Sequence, residues 1–170
     1  EDIANAFQRG DTDDLYYLNE ERYAWIPYFE DLEDSNFFTN SHGYLVAYHD
    51  DKTLSFKGDL FLEDSLVLLN NASYNDDKGQ GYHLVCNPYP FSVSLDNFTR
   101  NNVGGMWLLD PASGGYTPAD YNSAESFVVP PFSGVMTKVN SGENRLVVKK
   151  NASSQASAKS AGGKVEALKF

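Results

Sequence analysis

The stretch GYHLVCNPYP, residues 81–90, decides how the chain is read. Tyr82, Leu84 and Cys86 alternate with His83 and Val85, the period of a β-strand. The run then stops on Asn87-Pro88-Tyr89-Pro90. Two prolines framing an aromatic remove two backbone donors and fix two φ angles. Asparagine in such a place bonds the backbone just ahead of it, as in an Asx turn. The stretch therefore predicts a core strand, with Cys86 on its buried face, ended by a structural corner of Asn87, Pro88, Tyr89 and Pro90. The competing reading makes Tyr89 a ligand-stacking ring.

Working outward, the same strand signals recur on both sides. Tyr23, Trp25, Pro27 and Phe29 alternate with Ala24, Ile26 and Tyr28. The run at 43–58, GYLVAYHDDKTLSFKG, reads as a hairpin turning at Asp50-Asp51-Lys52, and SLVLLN at 65–70 as a further strand. Beyond the corner, Leu95, Phe98 and Asn102 fall at helical spacing behind Ser94, a residue suited to cap a helix. One short helix is expected near 94–101. Strands follow at 104–110, 126–129, 134–139 and 145–150, with a long loop at 111–125. Nine or ten strands separated by short turns predict an all-β chain, an antiparallel β-sandwich or jelly roll. The expected layout is an acidic segment at 1–14 and a sandwich module at 15–150. A small, polar linker at 151–163 and a terminal strand at 164–170 complete it.

Composition narrows the function. The 170 residues are 14% aromatic, which suits pleated, half-buried surfaces. The formal charge of −11 is concentrated in residues 1–64, which carry 16 acidic and 4 basic side chains. Such a front half repels phosphate backbones, so no nucleic-acid partner is expected. A single cysteine, Cys86, permits neither an internal disulfide nor a thiolate metal cluster. No apolar run is long enough to span a membrane. The chain opens on Glu1-Asp2 and reads as a mature product or a fragment.

No set of residues announces catalysis. His42, His49 and His83 lack a G-x-S-x-G elbow to serve. The paired carboxylates of 30–34 lie in polar loops, where a raised pKa is not expected. A hydrolase fragment is therefore the least favoured reading. No cofactor is expected except calcium, for which Asp11 and Asp13 in GDTDD and Asp76 and Asp77 in NDDKG supply hard oxygen ligands. Trp25 and Trp107, with Tyr89, are the aromatics that could stack a sugar; the competing reading places them in the core. Asp64-Ser65-Leu66 reads as a strand start and also as a possible O-glycosylation sequence at Ser65.

The ordered landmarks GYLV at 43–46, F-x-G-x-L at 56–60, the 81–90 corner and VVPPFSGVMTK at 128–138 resemble a β-rich module of secreted and cell-surface proteins of the Bacteroidetes. In that module the corner reads G-W-N-L-V-G-N-P-Y-P, and the module often precedes a type IX secretion sorting domain. Here Tyr82, His83 and Cys86 replace its Trp, Asn and Gly. Val135 and Met136 replace two phenylalanines of the later strand. The resemblance implies a secreted or cell-surface location and partners among other domains or chains of a surface assembly. No activity is attached to the module, so it implies no catalytic residue. The expectation is a non-catalytic structural or interaction module for adhesion, presentation or assembly, with a carbohydrate-binding module as the alternative.

Overall fold

Alternating apolar residues organise the chain into twelve strands in a computed structural model that describes residues 13–27, 38, 41–48, 59–71, 81–110, 112–120, 122, 127–140 and 144–150. In chain order these are β1 (Asp13–Asn19), β2 (Ala24–Pro27), β3 (Leu45–Tyr48), β4 (Ser65–Leu69), β5 (Tyr82–Cys86) and β6 (Val93–Ser94). After a 3-10 turn (Leu95–Asn97) come β7 (Phe98–Asn101), β8 (Val103–Asp110), β9 (Gly115–Pro118), β10 (Val128–Val129), β11 (Gly134–Val139) and β12 (Asn144–Val148). The protein is all-β, and every strand pairing is antiparallel.

Two sheets supply the body. One runs β5-β11-β8-β9 and the other β4-β12-β7. Their inner faces meet in one apolar core. Val85, Met106, Val135 and Val139 come from the first sheet; Val67, Leu69, Phe98, Leu146 and Val148 come from the second. This is the arrangement that period-2 alternation dictates when each sheet has one face to bury. A short β6–β10 pair adds Val93 and Val129 to the same core. A third sheet, β2-β1-β3, joins the body through the 41–43 segment. There the Gly43 N–H donates to Leu84 O (2.9 Å) and the Cys86 N–H to Ser41 O (3.0 Å).

Four sequence expectations change. The helix near 94–101 is instead a 3-10 turn of three residues followed directly by β7. Leu95 and Phe98 are three apart, which suits the three-residue period of a 3-10 turn as well as an α-helix. Asn97 fixes the shorter form: its Oδ1 accepts the Ser94 N–H (3.0 Å), and its Nδ2 donates to Lys149 O (2.9 Å). The loop at 111–125 contains β9, which hairpins onto β8. Asp110 closes that turn by accepting from the Ala112 N–H (3.0 Å) and the Ser113 hydroxyl (2.7 Å), and Gly114 follows at φ +68°. The first strand opens at Asp13, inside the expected acidic segment. In β5 the fully buried residue is Val85, so Tyr82, Leu84 and Cys86 form the outer face rather than the core face. The second half of the 43–58 hairpin, the linker at 151–163 and the terminal strand at 164–170 lie outside the described residues.

Candidate functional site

The corner after β5 is closed in on itself. Asn87 is buried, and its Nδ2 reaches Phe91 O (2.8 Å), Pro130 O (2.9 Å) and Val129 O (3.2 Å). Its Oδ1 accepts the Tyr89 N–H (3.0 Å), which makes the Asx turn. The Tyr89 ring is 0% exposed. It stacks on Phe91 at 5.1 Å and on Phe61 at 6.3 Å. Its hydroxyl lies 2.6 Å from Val148 O and 2.8 Å from Glu63 O, both acceptors. Burial and the nearby Asp64 charge push the phenol up to about 12. A ring so enclosed has no face for a ligand, which corrects the ligand-stacking reading of Tyr89.

The Ser65 reading is also corrected. Its side chain is buried at the start of β4 and hydrogen-bonds the Ser41 hydroxyl. A glycosyl acceptor needs an accessible hydroxyl, which this one is not. Cys86 behaves as an inert thiol: burial pushes it up to about 12, so no thiolate forms near neutrality. His42 and His83 come together at the β5 edge. Burial holds both below the usual histidine range, and the neighbouring His83 lowers His42 further. His83 spends Nε2 on the Asn70 carbonyl (2.5 Å), and Glu20 accepts the Gly81 N–H (2.8 Å). The calcium expectation at Asp11, Asp76, Asp77 and the Asp13 side chain lies outside the described residues, as does His49.

The two indoles sit on different sheets. Trp25, on β2, is 37% exposed. Trp107, on β8, lies on the outer face of the four-stranded sheet and is half-buried there. Its six-membered ring folds back along its own strand over Gly105. A Cβ at Gly105 would stand 2.8 and 2.9 Å from Cζ2 and Cζ3, and closer still to Cη2. Across the sheet, Gly105 faces Lys138 and Lys138 faces Tyr82. The Tyr82 and Trp107 rings stand 6.0 Å apart at 39°, and the Lys138 ammonium lies 5.0 Å from the Tyr82 ring centre. The sequence marks Trp107 but not these companions. The available signal was a glycine two residues before a tryptophan on a strand, which leaves room for an indole to lie over the backbone.

A second outward patch belongs to the other sheet. Leu66 and Leu68 alternate with the core residues of β4 and are 57% and 66% exposed. Leu66 faces Val147 across the strand pair, and Leu68 faces Arg145. No protein-family model, curated protein or solved structure matches the chain.

Proposed function

We propose that this is a non-catalytic interaction module of an exported bacterial surface protein, working through its sheet faces. The observation that carries the reading is the outward pair Leu66 and Leu68, two large apolar side chains side by side on a sheet face. Exposed apolar clusters on a stable fold mark surfaces that meet other molecules. The polar side chains of the corner support the same reading, because Asn87 and Tyr89 are committed to backbone groups. The Bacteroidetes resemblance supplies the proposed setting: secreted or cell-surface, beside other domains of an assembly.

The test is cross-linking of the module within its parent chain, wild type against Leu66→Glu/Leu68→Glu. Loss of a cross-link between the module and a neighbouring domain or chain is the expected result. An unchanged pattern, or hydrolase turnover abolished by one point substitution, overturns the reading. A second mode of binding, to carbohydrate, is favoured by the paired rings of Tyr82 and Trp107.

A further inference from the structure

We infer that the outer face of the four-stranded sheet holds a saccharide subsite for an acidic sugar, with Trp107 as the platform, Lys138 as the carboxylate partner and Tyr82 as the flanking wall. The inference rests on the interaction-module reading and gives one of its faces a ligand class.

The platform is built rather than incidental. An indole on a strand normally stands away from the sheet between its neighbours' side chains. Here the residue two positions back is glycine, and the ring occupies the space its side chain would take. The six-membered ring therefore lies against the backbone of β8 at Gly105, and the indole keeps part of its surface open on the outer side of the sheet. The negative face of an aromatic ring attracts the weakly positive C–H groups that line one side of a pyranose. Met136 lies opposite Trp107 in register and is partly buried.

The charge beside the ring selects among sugars. Lys138 stands in the row between Gly105 and Tyr82, and its ammonium lies over the Tyr82 ring, which itself stands 6.0 Å from the indole. Among the described residues that ammonium meets the Tyr82 ring rather than a carboxylate. A cation held by a ring keeps its charge and its donors available to an anion that arrives beside it. A sugar stacked on the indole and carrying a ring carboxylate satisfies both groups at once. A neutral sugar satisfies the first alone. A free cation or a basic peptide would face repulsion from Lys138.

The experiment is calorimetric titration of the whole chain with tetrasaccharides of galacturonic, glucuronic and mannuronic acid, each beside its carboxyl-reduced, neutral counterpart. At least one acidic form binds about tenfold or more tightly than its neutral counterpart, and the preference shrinks with added salt. Lys138→Gln brings the two forms level and leaves the neutral one unchanged. Trp107→Ala weakens both by about tenfold or more. Gly105→Ala does the same by pushing the ring off the sheet, and circular dichroism shows the fold retained. Binding to none of the acidic forms, equal binding of both forms by wild type, or binding that survives Trp107→Ala overturns the subsite. None of these results touches the cross-linking test of Leu66 and Leu68, so the module reading fails separately.

Discussion

The Asn87–Phe91 corner and the Tyr82–Trp107 face use aromatic side chains in opposite ways. At the corner, Tyr89 lies between Phe61 and Phe91 with its hydroxyl tied to two carbonyls. On the sheet face, Tyr82 and Trp107 meet at an angle, and their polar neighbour is a mobile-stemmed lysine. Tyr82 and Tyr89 are only seven positions apart, yet one ring is a strut and the other a surface. The difference lies in what surrounds each backbone. A chain that turns back over a ring encloses it, whereas the outer side of the four-stranded sheet leaves Tyr82 and Trp107 half-buried. Residue type therefore says little about role here, and position relative to turns says much.

Substitutions at the two regions separate them by size of effect. The largest falls on Asn87→Ala, which strips one amide from three buried or half-buried carbonyls and frees the Tyr89 N–H. A loss of about 3 kcal/mol or more is expected in urea unfolding. Asn87→Asp is a sharper probe, because it turns an acceptor toward those same carbonyls while keeping the shape; it too destabilises strongly. A value under about 1 kcal/mol for both would place the corner among ordinary loops. Next comes Gly81→Ala, just before the contrasted strand. Gly81 sits at φ +77°, and a Cβ there would press on the Val139 carbonyl. About 2 kcal/mol is expected, read as a lowered melting temperature.

Tyr89→Phe keeps the stacked ring and removes only the hydroxyl, at about 1–2 kcal/mol. The equivalent change at the surface, Tyr82→Phe, falls within about 0.5 kcal/mol, and equal losses would erase the contrast. Alkaline unfolding gives a further measure. The folded state raises Cys86 and Tyr89 to about 12, against ordinary values of 9.0 and 10.0. Above pH 9 the unfolded chain therefore releases protons that the folded chain retains, and stability falls as pH rises. The urea midpoint should decline from pH 9, more steeply above pH 10. Cys86→Ala should delay the onset of the decline to about pH 10, and Tyr89→Phe should remove the steepening above pH 10. A flat midpoint across that range contradicts the buried placement of both groups. Smallest of all is Leu68→Glu, within about 0.5 kcal/mol, because a side chain 66% exposed loses little when it becomes polar.

Several of these features were legible in the residues. The alternation of SLVLL gives β4 and its inward residues Val67 and Leu69 directly, and Pro88 with Pro90 marks the end of β5. The phase of β5 was not legible, because both of its faces carry apolar side chains: Val85 on one, Leu84 and Cys86 on the other. Hydrophobic period alone cannot choose between two such faces. The 3-10 turn is hidden for a related reason, since Leu95 and Phe98 satisfy two helical periods, and the deciding partner, Lys149, lies 52 residues away. Ser65 shows the same limit. A three-residue sequence marks a strand start, but it shows neither the burial of the hydroxyl nor its partner Ser41, 24 residues away. At the candidate sugar face, Trp107 was visible as a residue; the row that joins it to Lys138 and Tyr82 depends on register across three strands.

The fastening of β12 bears on how the fold responds to tension. β12 is the middle strand of its sheet, bonded lengthwise to β4 and β7. Its far end is clamped as well: the Asn97 Nδ2 donates to Lys149 O (2.9 Å), the Lys150 N–H to Asp64 Oδ1 (3.0 Å), and Tyr89 holds Val148 O. A pull on the chain at Lys150 along the strand must first break those clamps. It must then slide β12 between two neighbours, rupturing both ladders together rather than one bond at a time. A strand anchored in this way resists shear, and the three side chains that lock it, Asn97, Asp64 and Tyr89, act as the mechanical stops.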